Sequence, residues 1–319
     1  MGYPKISVVM STYNEPLKWI AESIESILNQ TFKDFEFIII NDNPKREELG
    51  KFLENYQKKD KRIILIKNTK NIGLTKSLNK GLKKAKGKYI ARMDADDISL
   101  PKRFEKQFEF LENNKNIFLI GTGAINIDEN GNESTKFNPL CSSEKIKQKL
   151  LKKNCLYHPT IMFRNEPGVD YREKMYYIED YDLYLRLITK GKSVSNIFYK
   201  LLYYRLRENS ICKGNAGKQK LMQEKAKEFY HQRIKYGKDE YESFDPNEIL
   251  NIDIEKTTNK IVLKQEIFAS FKLNNFKRTR KFCKKYFKSY GIFNKLLIYY
   301  FASSLGKRNI NLLRKTIFN

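Results

Sequence analysis

Short apolar runs alternate with amphipathic stretches over the first part of the chain. Four of these runs are rich in β-branched residues, which is typical of buried parallel strands: 6–10, 35–40, 62–66 and 89–93. Apolar residues at helical spacing predict helices over 19–28 and 74–86, the second ended by Gly87, and a third that opens at Pro101. This alternation predicts an α/β fold with a mainly parallel sheet and helices on both faces.

The distribution of charge divides the chain near residue 212. The whole chain has 62 basic and 37 acidic residues, a formal net charge of +25. Residues 1–212 hold 38 basic and 27 acidic side chains, whereas residues 213–319 hold 24 and 10, and no acidic residue follows Glu266. We therefore predict an α/β domain over 1–212 and a basic, mainly helical region over 213–319.

This excess of positive charge favours an anionic partner. Aromatic and cationic residues interleave over 267–319, and this pattern has three interpretations. It is typical of an interfacial helix on anionic lipid, of a nucleic-acid surface, or of a helical domain with a solvated lysine face. Peripheral membrane contact is favoured over the solvated face, and nucleic acid is the least favoured.

Several classes of protein are disfavoured by what the sequence lacks. The four cysteines form no CxxC pair and there are only two histidines, so a zinc site or a disulfide framework is not expected. The first 20 residues do not read as a signal peptide, and the apolar stretch 292–303 is too short to span a bilayer. We expect a cytoplasmic protein, peripheral on the cytoplasmic face of the membrane. The absence of GxGxxG and P-loop motifs disfavours dehydrogenases and P-loop NTPases.

Polar residues follow three of the predicted strands, where the ligand site of a parallel sheet lies. The sharpest group is Asp94, Asp96 and Asp97, three carboxylates within four residues. Carboxylate oxygens are the ligands that Mg²⁺ and Mn²⁺ prefer. The alternative is that Asp97 or Ser99 only caps the helix that follows.

A second acidic cluster, Glu179 to Asp182, precedes a predicted helix over 183–190. Taken alone, this cluster indicates ordinary stabilisation of a helix N-terminus. The functional alternative is a general base that takes the proton from a substrate hydroxyl. His158 has no partnered serine or cysteine nucleophile motif, so we expect it to be structural or to contact substrate.

A series of weak motifs occurs in one order along the first two thirds of the chain. They are Tyr13-Asn-Glu15, Asn41-Asp42, Asn71-x-Gly73, Asn79-x-Gly81, Gly87-Lys-Tyr-Ile90, Arg92-Met-Asp-Ala-Asp-Asp97, Leu100-Pro101 with Arg103 and Gln107, and Glu179-Asp180 with Leu183 and Arg186. Together they resemble the family 2 glycosyltransferases, which have the GT-A fold.

The resemblance implies a role for each matching residue. Those expected to bind the nucleotide are Thr12, Tyr13, Glu15, Asp42, Asn71, Gly73 and Asp94. It also implies a Mg²⁺ or Mn²⁺ ion at Asp96, with Asp94 beside the ribose or the hydration shell of the metal. Asp180 matches the general base of the family, with Glu179 next to it.

Two departures from the family pattern bear on these expectations. The Tyr-Arg-x-His-x-x-Ser pattern appears here as 204–210, with Arg207 where a histidine often stands. Arg207 is therefore a candidate phosphate contact, and His158 is a candidate phosphate or acceptor contact. The Gln-x-x-Arg-Trp motif of processive synthases is absent, since the only tryptophan is Trp19, so single addition is favoured over polymerisation.

The sequence thus predicts an inverting, metal-dependent, non-processive glycosyltransferase. It would move a sugar from a nucleoside diphosphate donor, with UDP favoured, to a saccharide or lipid-linked acceptor in cell-surface glycan assembly. The alternatives are a nucleotidyltransferase of similar α/β layout, or a non-enzymatic basic module that binds a membrane or nucleic acid.

Overall fold

The computed structural model describes residues 2–207 and 215–305. Nine strands form in this part of the chain: β1 (Ile6–Thr12), β2 (Phe35–Asn41), β3 (Ile63–Lys67), β4 (Tyr89–Asp94), β5 (Ile98–Ser99), β6 (Ile117–Ile127), β7 (Glu133–Phe137), β8 (Met162–Arg164) and β9 (Ser193–Arg205). The helices are α1 (Leu17–Leu28), α2 (Glu47–Lys59), α3 (Leu74–Lys84), α4 (Arg103–Asn113), α5 (Ser143–Leu150), α6 (Glu179–Thr189), α7 (Ala216–Tyr236), α8 (Asn247–Leu250), α9 (Lys260–Lys272), α10 (Phe276–Tyr290) and α11 (Asn294–Ala302). The last three residues of the pattern at 204–210 and the end of the basic tail, 306–319, lie outside the described residues.

All nine strands belong to one mixed sheet. Its order is β3-β2-β1-β4-β8-β6-β9-β5, with β7 paired to β6. The four strands predicted from apolar runs form its parallel part, β3-β2-β1-β4. Beyond β4 the sheet is mixed: β8 is antiparallel to both β4 and β6, β9 is parallel to β6, and β5 is antiparallel to β9. The predicted parallel strands thus form one part of the sheet, and the three polar loops singled out in the sequence follow strands of this part.

Helices pack on both faces of the parallel part. Alternate residues of β1 point to opposite faces: Ile6, Val8 and Met10 are buried in a core cluster that also contains residues of α1 and α4. The opposite face of β1 is covered by α3, since a Cβ added at Gly81 would lie 2.4 Å from Val9 Cγ1. The chain therefore buries this sheet on both sides, as its continuous apolar strands predict.

Two predicted helix boundaries are corrected by the structure. Helix α3 ends at Lys84, and Gly87 is needed for close approach instead, because an added Cβ would lie 2.5 Å from Ser7 N. Helix α4 begins at Arg103 rather than Pro101, and its N-cap is Lys102.

The structure also corrects two expectations about the acidic clusters, one on the capping of α4 and one on the start of α6. Neither Asp97 nor Ser99 caps α4, because both precede its N-cap residue. Helix α6 begins at Glu179, so the second acidic cluster forms the first turn of this helix instead of preceding it.

The chain packs as two compact units. The first comprises residues 2–173, 179–207 and 230–239, and the second comprises the described parts of 174–178, 208–229 and 240–305. The second unit has a core of its own, formed by residues of α9, α10 and α11. The domain boundary predicted at residue 212 stays a prediction. Among the described residues, no helix combines the length and apolar character needed to cross a membrane.

Candidate functional site

The parallel strands place three polar loops at one edge of the sheet. In the strand register Thr12 pairs with Asn41, and Ser11 pairs with Asp94. The carboxyl ends of β1, β2 and β4 therefore lie side by side. This is the edge at which α/β sheets bind ligands.

The loop after β1 is organised by Glu15. Its Oε2 accepts hydrogen bonds from Thr12 Oγ1 at 2.9 Å and from Tyr13 N at 2.8 Å. Arg46 Nη1 donates to the carbonyl of Glu15 at 2.7 Å. The Tyr13 side chain stays exposed beside the buried Thr12, so its ring is accessible to stack on a base.

The buried Asp42 closes the loop before α3. Its Oδ1 accepts hydrogen bonds from Asn68 Nδ2 at 2.8 Å and Ile72 N at 2.9 Å, and its Oδ2 accepts one from Gly73 N at 2.9 Å. A carboxylate has about four acceptor positions, and the hydrogen bond from Gly73 N takes one of the two on Oδ2. Asn71 Oδ1 also accepts from Gly73 N, at 2.9 Å. The structure thus brings together the three predicted nucleotide-binding residues of this region.

Three carboxylates after β4 form a compact acidic cluster. Asp94, Asp96 and Asp97 each offer an oxygen, and these oxygens lie within 4.8 Å of one another. Asp97 Oδ1 accepts a hydrogen bond from Arg205 N at 2.8 Å, whereas its buried Oδ2 has no partner within the described ranges. Grouped oxygens with an unsatisfied buried member fit a hard divalent cation.

Electrostatics at this cluster disfavour three bare negative charges. Burial, together with the charge of Asp94, raises the pKa of Asp96 to about 7, and Arg207 opposes this shift. Burial and the neighbouring carboxylates raise the pKa of Asp97 well above its usual range. Arg207 Nε lies 2.8 Å from Asp96 Oδ2. The guanidinium supplies part of the positive charge that the cluster needs.

Arg92, near the end of β4, is a buried cation next to this cluster. It forms an ion pair with Asp94. Burial opposes the charge of Arg92, but attraction to Asp94 outweighs it and raises the pKa of the guanidinium. The charge of Arg92 also acts on Glu179 and Asp180, where it partly opposes the rise in pKa that burial causes at each carboxyl. Arg92 therefore connects the two acidic clusters.

The second acidic cluster is held at the start of α6. Asp180 Oδ2 accepts a hydrogen bond from Asn154 Nδ2 at 2.7 Å, and Asp180 Oδ1 accepts one from Tyr181 N at 2.7 Å. Burial raises the pKa of Asp180 above its usual range. Burial and the charge of Asp180 raise the pKa of Glu179 to about 7, and the charge of Asp94 adds to this shift. Carboxylates far apart in the sequence thus share one electrostatic environment.

His158 lies in the same environment. Its Nε2 is 2.7 Å from the hydroxyl of Tyr171. Burial, with the charge of Arg92, lowers the pKa of His158 well below its usual value, so the imidazole is neutral. Burial raises the pKa of Tyr171, and the charges of Asp180 and Glu179 contribute. His158 is therefore bound to a side chain that lies within reach of the charges at the start of α6.

Four residues that shape this site were given no role by the sequence analysis: Asn68, Arg92, Asn154 and Tyr171. Arg92 had a detectable signal, because it is a charged residue inside an otherwise apolar strand. Asn154 and Tyr171 lie in irregular segments with no periodicity, so only the folded chain identifies them.

Comparison with known proteins gives this geometry a context. The family model described as "Glycosyl transferase family 2" matches residues 7–169. The uncharacterized glycosyltransferase MJ1057 of Methanocaldococcus jannaschii is 45% identical over 224 residues, which cover 69% of this chain and 77% of the relative. The O-antigen biosynthesis glycosyltransferase WbnJ of Escherichia coli is 39% identical over 213 residues, 65% of this chain and 82% of the relative.

A solved structure shares the architecture at low sequence identity. Residues 1–349 of TarS from S. aureus, crystallised in complex with UDP-GlcNAc, match with a TM-score of 0.58 and 15% identity. The match covers 96% of this chain and 92% of the TarS chain. At this identity the likeness establishes the fold, which is the predicted GT-A arrangement followed by a helical C-terminal region.

Proposed function

Because the chain belongs to the family 2 glycosyltransferases, we propose that it transfers a sugar from a nucleoside diphosphate donor with inversion, in a single addition. The acceptor is a saccharide or a lipid-linked glycan of the cell surface. One observation carries this proposal: the oxygens of the carboxylates after β4 lie within 4.8 Å of one another beside the buried Arg92, which forms an ion pair with Asp94 and whose charge also reaches the carboxylates at the start of α6. Relatives named for O-antigen and amylovoran biosynthesis support the setting.

The donor is proposed to be a UDP-sugar. The remaining acceptor position on Asp42 Oδ2 suits the ring N–H of uracil, and Tyr13 and Thr12 border the same edge of the sheet. Glu15, Asn71 and Gly73 complete the nucleotide pocket in this proposal, with Asp94 at the ribose side. The fold relative TarS was solved with UDP-GlcNAc and with UDP.

Asp96 and Asp94 are the residues that would hold a divalent cation. Mg²⁺ or Mn²⁺ bound there would offset the negative charge that develops on the leaving diphosphate. Arg207, which contacts Asp96, is proposed to contact the phosphates directly. His158 is proposed to contact acceptor rather than phosphate, because a neutral imidazole bound to Tyr171 offers no charge to an anion.

Asp180 is proposed as the general base. Its carboxylate takes the proton of the acceptor hydroxyl while the oxygen bonds to the anomeric carbon of the sugar. The bond from that carbon to the diphosphate breaks on the opposite face, and the nucleoside diphosphate leaves. Asn154 and the Tyr181 amide each donate to one carboxylate oxygen. These two hydrogen bonds fix the direction of the remaining lone pairs.

A panel of sugar nucleotides tests the proposed reaction on the full chain. We expect one UDP-sugar to raise the melting temperature in the presence of Mn²⁺, and to release UDP when acceptor is added. Product analysis by anion-exchange chromatography distinguishes the alternatives. Release of pyrophosphate would instead support a nucleotidyltransferase, and the absence of any nucleotide-dependent product would favour a non-enzymatic binding module.

We also propose that the second unit docks on an anionic membrane surface. At its α11 end it exposes apolar side chains, among them Ile292 at 73% and Phe301 at 62%. The neighbouring helix α10 carries exposed cations such as Lys284 and Lys288. Apolar side chains beside lysines fit a headgroup boundary with anionic lipid. Lipid-linked acceptors would be encountered on that surface.

Vesicle binding tests this membrane contact. In the full chain, the double variant Ile292→Ser and Phe301→Ser is expected to bind phosphatidylserine-containing vesicles at least about tenfold more weakly, because each apolar side chain loses about 1.5–3 kcal/mol of burial. Phe198→Ser removes an equally exposed phenylalanine from the first unit and is expected to bind like the wild type. Equal cosedimentation of wild type and double variant would favour the solvated lysine face, and preferred binding to RNA would favour a nucleic-acid surface.

A further inference from the structure

A charge-balanced network of side chains, all buried or half-buried except the exposed Asp170, lies along α6, separate from the residues proposed to bind substrate. It consists of three carboxylates and three guanidiniums, all in the first unit: Asp170, Asp182, Asp239, Arg172, Arg186 and Arg233. We call these six residues the α6 ion network. The reaction proposed above uses none of them.

Asp182, the first residue of α6 in this network, lies two positions after Asp180. Asp182 is fully buried in the first turn of α6. Its Oδ2 accepts a hydrogen bond from Arg186 Nε at 2.9 Å. Its Oδ1, which has no hydrogen-bond partner among the residues that the structure describes, lies 4.0 Å from Arg172 Nη1. Arg172 therefore provides a second positive charge for a carboxylate that water cannot reach.

Asp239 holds Arg172 in place. The two terminal nitrogens of Arg172 donate to the two oxygens of Asp239, at 2.7 and 3.1 Å. Such bidentate pairing fixes direction as well as distance. Arg233 also pairs with Asp239, and its Nε donates to Thr189 Oγ1 at 3.1 Å. Since Thr189 is the last residue of α6, the network supports both ends of that helix.

The supporting segment comes from a distant part of the chain. Arg233 lies in α7, and Asp239 follows the turn at Gly237, whose φ of +73° favours glycine. Both lie beyond the family-matched residues 7–169, yet they pack with the unit that contains α6. The segment 230–239 is therefore structurally part of the first unit although it follows the predicted boundary at 212.

Burial makes this arrangement sensitive to any lost partner. Burial raises the pKa of Asp182, and the charges of Arg186, Arg172 and Arg233 only partly oppose this rise. Burial also opposes the charge of Asp239, but its hydrogen bonds with Arg172 and Arg233 lower its pKa overall. Neutralising Asp239 would leave two guanidiniums without their shared partner, and Arg172 would lose the contact that directs it to Asp182.

We propose that Asp239 is a positioning residue for the reaction: through Arg172 it fixes the start of α6, through Arg233 it fixes the end of α6, and in this way it holds the carboxylate of Asp180. This inference rests on the proposed role of Asp180 as the base. The nucleotide pocket does not depend on the network, because Asp42 and Glu15 are held by contacts on other loops. Loss of Asp239 should therefore affect the chemical step and spare donor binding.

The test compares Asp239→Asn with Asp239→Glu in the full chain. For Asp239→Asn we expect kcat to fall by about tenfold to a hundredfold, the scale of effect produced by misplacing a catalytic group. The Kd for UDP, measured by calorimetry, is expected to change by less than about twofold. Asp239→Glu keeps the charge and is expected to recover most of kcat. Glu242→Gln, at an exposed site of the neighbouring segment, is the matched acid-to-amide control and is expected to be unchanged.

Two results would overturn the inference while leaving the proposed reaction intact. One is an Asp239→Asn enzyme with wild-type kcat. The other is a parallel loss of kcat, UDP binding and folded fraction, which marks a general structural role. If Asp239→Asn does not fold, Thr189→Val decides, because it removes the hydroxyl that accepts the hydrogen bond from Arg233 Nε and donates one to the Leu185 carbonyl. Thr189→Ser keeps a hydroxyl for both hydrogen bonds and is the control. Thr189→Val should lower kcat moderately at constant UDP affinity while Thr189→Ser does not, and an unchanged kcat in Thr189→Val would reject the proposal. A wild-type chain that releases no nucleoside diphosphate would instead refute the proposed function itself.

Discussion

Asp180→Asn is expected to abolish sugar transfer while UDP binding is retained. An asparagine has nearly the same shape and still accepts a hydrogen bond from Asn154 or from the Tyr181 amide, the two donors that hold Asp180 now. Its amide cannot take a proton from the acceptor hydroxyl, so transfer should fall on the order of 10²- to 10⁴-fold. Transfer is measured as labelled sugar on acceptor, and UDP binding is measured by calorimetry.

The control and the competing assignment use the same substitution chemistry. Glu173→Gln removes an exposed carboxylate that pairs with Lys76 at 3.7 Å, and it should leave transfer unchanged. Glu179→Gln tests the neighbouring carboxylate as the alternative base. If Glu179→Gln is inactive and Asp180→Asn turns over normally, Glu179 is the base and Asp180 is not. In the wild type kcat should fall as the pH is lowered, because burial raises the pKa of Asp180 above its usual range and only the ionised form accepts a proton.

The parts of the fold that could be predicted are those with strong local signals. Strands β1, β2 and β4 are continuous apolar runs, and each was placed within two residues of its observed bounds. Phe104, Phe108 and Leu111 recur at helical spacing, which predicts one buried stripe; in α4 Phe104 and Leu111 are fully buried, whereas Phe108 is half-buried. The polar loops after these strands follow from topology, since parallel strands end at one edge. The positions of the polar loops after β1, β2 and β4 could therefore be predicted from periodicity and the topology of parallel strands.

The remaining half of the sheet depends on contacts between distant segments. Strand β5 has two residues and β8 has three, too few to show a period. Gly87 was interpreted as a helix end because a glycine after lysines is typical of one; its actual role depends on the approach of Ser7, which no local pattern reveals.

The same limit applies to the functional residues. Asn154 reaches Asp180 from a loop, and Asp239 reaches Arg172 across 67 positions of sequence. In each case the role of the side chain is set by tertiary packing. Residue type and spacing supplied candidates for the metal site and the base, and the resemblance to a family favoured them over the structural alternatives, whereas the residues that hold those candidates had to be found in the structure.

Asp96→Asn is expected to weaken Mn²⁺ binding by roughly tenfold or more, since substitutions that only support a metal ligand already cost about 10- to 100-fold in affinity. The amide keeps the shape of Asp96 but removes one negative charge from a cluster whose oxygens lie within 4.8 Å of one another. Calorimetric titration of the full chain with Mn²⁺ alone measures this change without depending on turnover. Metal-dependent stabilisation by UDP should fall in parallel.

Arg207→Ala provides the opposing variant at the same oxygen. Arg207 Nε lies 2.8 Å from Asp96 Oδ2, so the guanidinium competes with any cation for that atom, and its removal should strengthen Mn²⁺ binding. Opposite shifts in the two variants would identify Asp96 as a metal ligand. An Asp96→Asn chain with unchanged Mn²⁺ affinity would remove Asp96 from the metal site. In that case protonation of Asp96, whose pKa is raised to about 7, and its ion pair with Arg207 would reduce the negative charge of the cluster. The charge of the leaving diphosphate would then have to be offset by the guanidinium of Arg207.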